Sequence, residues 1–207
     1  EVLAVQQIGQ ARAHLLARAP LQVGERICLQ IDANRRRRVE AHHTATHLLH
    51  WALHEVVSAD AVQQGSLVDA DRLRFDVSSA AINEAQLLKM EDMVNEKIRS
   101  AAPVFIEELP HAIVKGRKDV MQFFGDKYGE RVRVVQVGGD QGQLNGFSME
   151  LCGGTHVSNT AQIGRFMIKS EAAVAAGVRR LEAVCGDAAE EWQTSECETL
   201  RAEVEKE

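Results

Sequence analysis

Between residues 34 and 57 the apolar positions settle into a helical rhythm. Leu49, Leu53 and Val56 recur at steps of four and three residues, with Leu48 and Trp51 beside them, which predicts a helix from about Asn34–Arg36 to Val57. His43, His47, His50 and His54 follow a 4-3-4 spacing and share one stripe of that helix. A second helix is predicted to start at Asn83, where Gln86 three residues on completes a capping box. Its apolar stripe is Leu87, Met90, Val94 and Ile98, and it stops before Pro103. Short apolar runs predict strands at Leu73–Val77, Val104–Ile106, Val132–Val137, Phe147–Leu151, Ile163–Lys169 and Val178–Val184. Between them, Gln63-Gln64-Gly65-Ser66 reads as a turn, Gly138–Gly146 as a loose hairpin, and Lys118–Phe124 as a short helix ended by Gly125.

The ends of the chain have a different pattern. Residues 1–33 read as strands: Leu21 and Val23 lead into a turn at Gly24-Glu25, after which Ile27, Leu29 and Ile31 alternate. Three short strands close a core poorly, so this segment is expected to be the end of a sheet or barrel whose beginning is missing. From Asp187 onward the pattern is an acidic helix whose apolar residues are few, Trp192 and Leu200 among them. Three segments are therefore expected: strands in 1–33, one α+β domain in 34–186 with an antiparallel sheet packed against helices, and the start of an acidic helix in 187–207. A chain that opens on Glu1 rather than Met is expected to be a processed protein or a piece of a longer one.

Composition narrows the class without naming it. The chain has 207 residues, 45% hydrophobic and 26% charged, in the range of a soluble globular protein. No run approaches the roughly 18 consecutive apolar residues of a membrane span. Neither a signal peptide nor a Cys-x-x-Cys is visible, so Cys28, Cys152, Cys185 and Cys197 are expected to be reduced thiols of a cytoplasmic protein. The net charge of −6 resides in the tail, where eight acids face two bases, while residues 1–186 hold 22 of each. Bases cluster at Arg35–Arg38, Lys115–Lys118 and Arg179–Arg180, so a local phosphate contact stays open beside a plain solvated charged face.

The chemistry gathers at two motifs, His43-Thr44-Ala45-Thr46-His47 and Cys152-Gly153-Gly154-Thr155-His156. Each alone is weak. Together they supply one thiolate and three imidazoles, a tetrahedral zinc set of His43, His47, Cys152 and His156, on a helix and a strand-loop. His50 sits about 10.5 Å along the axis from His43 at 1.5 Å per residue, too far to share the metal. His50 and His54 are therefore expected to pack or to support the ligands. The two glycines are expected to let the backbone turn tightly enough for Cys152 and His156 to converge. The first motif lacks the glutamate of His-Glu-x-x-His, which disfavours a zinc peptidase. On the strand before Cys152, Ser148 and Glu150 share its face while Met149 and Leu151 point into the core. Glu150 is then either a partner for a ligating imidazole or a surface carboxylate.

At these residues the chain resembles the editing domain of alanyl-tRNA synthetase. The resemblance rests on His43-Thr-Ala-Thr-His-Leu-Leu-His50, Gln63-Gln-Gly-Ser-Leu-Val68, Arg72-Leu-Arg-Phe-Asp76, Glu150-Leu-Cys-Gly-Gly-Thr-His-Val157 and Ala176-Gly-Val-Arg-Arg-Leu-Glu-Ala183. It covers about residues 34–186 and extends to free-standing editing proteins and the threonyl-tRNA synthetase editing domain. Residues 1–33 resemble the end of the preceding barrel, and 187–207 the start of a helical linker. Two stretches depart from the family pattern: Val77-Ser78-Ser79 follows Asp76 where an aromatic and then Ser-His are usual, and the Gly138–Gly146 loop is long.

The resemblance implies hydrolysis of serine or glycine wrongly esterified to tRNA(Ala), with one zinc ion and the tRNA 3′ end and the rest of the synthetase as partners. It places Thr46, Gln63 and Ser66 around the reacting end of the substrate. It leaves zinc to fix the site or to orient water or the substrate amine, and makes backbone donors at Gly153–Gly154 candidates for the oxyanion. Arg179 and Arg180 are the candidates for terminal phosphates. A non-catalytic module that grips the acceptor end, with zinc purely structural, is the competing expectation.

Overall fold

The computed structural model describes residues 1–9, 11–18, 22, 24–122 and 128–204, apart from the side chains of Leu200 and Glu203. The chain divides into two units, Glu1–Ile31 and Asp32–Glu207. The first is a hairpin of β1 (Val2–Ile8) and β2 (Ala11–Leu16), paired antiparallel. Gly24 lies in a turn in which Glu25 N–H donates to Gln22 O at 3.1 Å. The strand expected from Ile27, Leu29 and Ile31 is not formed: residues 25–32 carry no strand and the three side chains are exposed. Alternation alone does not make a strand where no neighbouring strand completes the ladder. Leu21 and Val23 lie outside the described residues.

The second unit is built around α1 (Ala33–Val56). Asp32 starts it, its carboxylate accepting from Asn34 N at 2.9 Å and Arg35 N at 3.0 Å. Ala45, Leu48, Leu49, Ala52 and Leu53 are fully buried and make α1 the axis of the core. Each leucine buried there contributes about 1.5–3 kcal/mol. One flank is a four-stranded antiparallel sheet in the order β3 (Val62–Val68), β4 (Leu73–Ser78), β9 (Val178–Cys185), β8 (Phe166–Ala175). Phe75, Val77, Leu181 and Ala183 of that sheet meet α1. Gln63–Ser66 belongs to this sheet and is not a turn. A bulge between Gln63 and Gly65 absorbs the extra residue, and pairing with β4 overrides the turn-like composition. β8 starts at Phe166, because Thr160–Ile163 forms a single 3₁₀ turn in place of the predicted strand start.

α2 (Glu84–Arg99) packs beside α1 through Met90, Val94 and Ile98, and its reciprocal cap is present: Asn83 accepts from Gln86 N and Gln86 accepts from Asn83 N. The other flank is a three-stranded antiparallel sheet, β5 (Val104–Pro110), β6 (Arg131–Val137) and β7 (Ser148–Leu151). Its faces divide two cores. Val135 and Val137 join the α1 core, whereas Val132, Val134, Met149 and Leu151 pack with Val114 and Val120 on the far side. Ser148 and Glu150 consequently face α1 and are themselves buried.

The short helix expected at Lys118–Phe124 is absent over its described part. A one-turn helix, α3 (His111–Val114), precedes it, and residues 118–122 form a turn and a bridge to Glu150; residues 123–127 lie outside the described residues. α4 (Asp187–Val204) follows β9, anchored by Ala188, Ala189 and Trp192. Among the described residues no helix is long and apolar enough to cross a membrane.

Candidate metal centre and the adjoining cavity

Two elements bring the two motifs together. α1 carries His43 and His47 one turn apart, and the segment leaving β7 carries Cys152 and His156. One ligand atom from each of His43, His47, Cys152 and His156 lies within 4.8 Å of the others. His43 Nε2 and His156 Nε2 are each 3.4 Å from Cys152 Sγ. The ring centroids of His43 and His156 are 4.1 Å apart, and those of His47 and His156 are 4.6 Å apart.

The rings are oriented from behind. His43 Nδ1 donates to Thr155 O at 3.1 Å, which leaves its Nε2 lone pair facing the thiol. Thr44 does the same for His156. Its hydroxyl donates to Glu40 O at 3.0 Å and accepts from His156 Nδ1 at 3.1 Å and Val157 N at 3.2 Å. One donor and two acceptor positions are thus all used, and the His156 tautomer is fixed. Arg133, on β6, donates to the carbonyls of Cys152, at 2.7 Å, and of Gly154, holding the loop. His47 Nδ1 is buried without a hydrogen-bond partner among the described residues, and His47 is one of the four residues that together offer three imidazole nitrogens and one sulfur. An orphaned lone pair in that donor set suits a borderline-soft cation such as zinc.

Protonation states agree with this fit. Burial lowers the pKa of His43, of His156 and of His47, the last to about 4, so all three are neutral ligands near pH 7. Burial pushes the Cys152 thiol up, so a cation entering the site releases a proton. Burial opposes ionisation of Glu150, but the imidazoles of His47, His50 and His43 outweigh it and hold the carboxylate below its ordinary value.

Gly154 has a role other than turning the chain. Neither Gly153 nor Gly154 has a positive φ. A Cβ on Gly154 would lie 2.1 Å from His43 Cε1 and 2.6 Å from His43 Nδ1, so the missing side chain is the space the His43 ring occupies. Gly153 meets nothing within 4 Å.

Glu150 is 4% exposed, which removes the surface reading. Its Oε1 accepts from His50 Nδ1 at 3.0 Å, and its Oε2 is 3.6 Å from His47 Nε2. Beyond His50 lies a cavity of about 490 Å³ lined by His50, His54, Asp60, Gln63 and Met121 among others. Gln63 Nε2 is 3.4 Å from Ser66 Oγ. Thr46 is buried and its hydroxyl donates to His42 O at 2.8 Å. Arg179 and Arg180 on β9 are each engaged by a carboxylate. Arg179 is bidentate to Glu171, and Arg180 is bidentate to Asp76 at 2.7 Å on both bonds.

Spacing rules gave no sign of Thr44, Arg133 or His42. His42 is fully buried: Nδ1 donates to Arg38 O at 2.9 Å and Nε2 accepts from Cys185 N at 3.2 Å. Burial lowers its pKa and that of His54. For a base whose folded pKa is depressed, stability is complete above the unfolded value of about 6.5 and falls as pH drops below it. The metal-free chain is therefore expected to lose stability on acidification from pH 7 to pH 5. The slope is roughly 1.4 kcal/mol per pH unit for each histidine held neutral. Urea unfolding at a series of pH values measures it, and a flat profile in that window contradicts the assignment.

Comparison with known proteins places these features. The family described as threonyl and alanyl tRNA synthetase second additional domain matches residues 132–182, which contain all of β6 but its first residue, together with β7, Cys152, His156 and β8. The alanine–tRNA ligase of Akkermansia muciniphila is 61% identical over 191 residues, 91% of this chain and 20% of that protein. That of Methylacidiphilum infernorum is 49% identical over 88% of this chain and 19% of its own length. The chloroplastic/mitochondrial enzyme of Ostreococcus lucimarinus is 48% identical over 90% of this chain and 20% of its own length. The chain spans about a fifth of the length of these curated relatives.

Proposed function

Given that this chain carries the editing-type domain of the alanyl-tRNA synthetases, we propose that it hydrolyses the ester joining serine or glycine to the 3′ end of tRNA(Ala). The observation that carries the reading is the meeting of the His43, His47, Cys152, His156 cluster, through Glu150 and His50, with a cavity that Gln63 also lines. The need for such a site is physical. A pocket made for alanine rejects serine weakly, because it differs by one hydroxyl, and rejects the smaller glycine weakly too. A second pocket that hydrogen-bonds the seryl hydroxyl separates the two better, since alanine leaves its polar groups unpaired.

His43, His47, Cys152 and His156 would hold one zinc ion. When bound, zinc would supply positive charge and a fixed point for polarising water or substrate. The chain's own residues do the rest. Gln63, with Ser66 beside it, offers donors and acceptors to the seryl side chain and the ester. Thr46 keeps acceptor lone pairs, since its proton is committed to His42 O. Glu150 orients His50 and His47. The open face of Gly153 leaves backbone room for the developing oxyanion, whereas Gly154 is used up by His43. A phosphate reaching Arg179 or Arg180 has to share it with Glu171 or Asp76, which weakens that pair as tRNA contacts. The remainder of a synthetase chain is the proposed structural partner.

A second reading has one observation in its favour. Four protein ligands can fill a zinc tetrahedron, which describes a structural site in a module that only grips the acceptor end. Incubating the zinc-loaded chain with Ser-tRNA(Ala) separates the two. Catalysis predicts multiple turnovers that Cys152→Ala abolishes. Stoichiometric binding with the ester lost at the spontaneous rate favours the gripping module.

A further inference from the structure

Resting on the deacylase reading, we infer that His50 is a catalytic residue and that its Nε2 takes the proton of the attacking water. The 3.0 Å hydrogen bond between His50 and Glu150 joins a ring nitrogen to a buried carboxylate oxygen, so His50 Nδ1–H is the donor and Glu150 the acceptor. With the hydrogen on Nδ1, the acceptor position of the ring is Nε2. That nitrogen is buried and has no hydrogen-bond partner among the described residues. A buried acceptor without a donor is costly, and a donor arriving in the adjoining cavity relieves it. His50 is 4% exposed yet lines that cavity of about 490 Å³ together with Gln63. It also lines a smaller one of about 230 Å³ that includes Trp51, Phe147 and Glu150, so the imidazole stands at the wall of both.

The neighbours fix the ring without using Nε2. Phe75 tilts against it at 5.2 Å between centroids, and His54 stands edge-on at 4.5 Å. His54 is itself committed, donating Nε2–H to Ala61 O at 2.8 Å. His47, the other imidazole beside Glu150, belongs to the metal set, and Asp60 is the acid on the loop facing the larger cavity. His50 is therefore the imidazole of α1 with an uncommitted acceptor at the cavity. A carboxylate behind Nδ1 and an open Nε2 in front is the arrangement that makes an imidazole a general base.

The step balances within substrate and chain. A water O–H bond breaks, its proton goes to His50 Nε2, and the oxygen forms a bond to the ester carbonyl carbon. The carbonyl carbon–ribose oxygen bond then breaks, and His50 returns the proton to the ribose oxygen. The products are the free amino acid and a tRNA with both terminal hydroxyls.

The test uses the zinc-loaded chain in excess over Ser-tRNA(Ala), with zinc content measured for every variant. His50→Gln is expected to keep one zinc per chain and to slow hydrolysis of bound substrate about 100- to 1,000-fold. His50→Ala is expected to regain part of the rate when imidazole is added, a rescue that a purely structural role does not give. Wild-type turnover together with a fully zinc-loaded His50→Gln within twofold of it overturns this inference alone. Loss of zinc from His50→Gln, His50→Asn and His50→Ala alike also overturns it, by assigning His50 to holding the site. No wild-type hydrolysis above the spontaneous rate overturns the deacylase reading, and the inference falls with it.

Discussion

Gly154→Ala is expected to lower bound zinc from one per chain to near zero while the fold survives. The added methyl would sit 2.1 Å from His43 Cε1, well inside van der Waals contact. The obstacle is a side-chain ring, so the backbone need not move; His43 rotates away and takes its Nε2 out of the ligand set. Three ligands then remain of four, and the hydrogen bond from His43 Nδ1 to Thr155 O is lost as well. The stability effect follows from mass action. Zinc at 1,000 times its dissociation constant adds about 4 kcal/mol to the state that binds it. In a domain of this size each kcal/mol is worth about 2–4 °C, so the variant is expected to melt about 8–16 °C below the zinc-loaded wild type. It is expected to match wild type stripped by a chelator. Metal analysis and thermal melts measure both quantities, and a Gly154→Ala chain with full zinc contradicts the close approach.

The second large effect is on stability without the metal. His42→Ala is expected to destabilise the Asp32–Glu207 unit by about 3–5 kcal/mol, the range for deleting a buried ring. His42 is fully buried, and its Nε2 is the acceptor for Cys185 N–H at the end of β9. Alanine leaves both a void between α1 and the sheet and a buried donor without a partner. His42→Phe refills the void but not the acceptor, so it is expected to recover only part of the loss. Chemical denaturation of the metal-free forms measures the series. Equal stability of the phenylalanine variant and wild type contradicts a role for the hydrogen bond. The neighbouring histidines on α1 thus divide their tasks, with His42 joining elements and His43 and His47 facing the candidate ion.

What could be read in the sequence was what sits close along the chain. The Asn83–Gln86 cap, the α1 stripe and the strands around Val132–Val137 are local patterns, and each formed where expected. The cluster of His43, His47, Cys152 and His156 was legible because one half lies one helical turn apart and the other follows a single strand. Gln63–Ser66 was misread because its composition suits a turn while its pairing partner lies in β4. Ile27, Leu29 and Ile31 erred the other way, alternating along the chain without forming a strand or pairing among the described residues. Thr44 and His156 are 112 residues apart, and His42 and Cys185 are 143 apart, so no spacing rule joins them. Glu150 was ambiguous for a related reason. Strand alternation gives a face, and only the assembled fold shows that α1 covers it.

The proposed deacylase activity requires one pocket to remove serine from tRNA(Ala) and leave alanine in place. Its most direct measurement mixes differently labelled Ser-tRNA(Ala) and Ala-tRNA(Ala) with the zinc-loaded chain in one reaction and follows both esters. The account predicts that the seryl ester disappears at least about 100-fold faster than the alanyl ester, as a site that hydrogen-bonds the hydroxyl requires. Loss of both at the same rate, or of neither above the rate without protein, would contradict it.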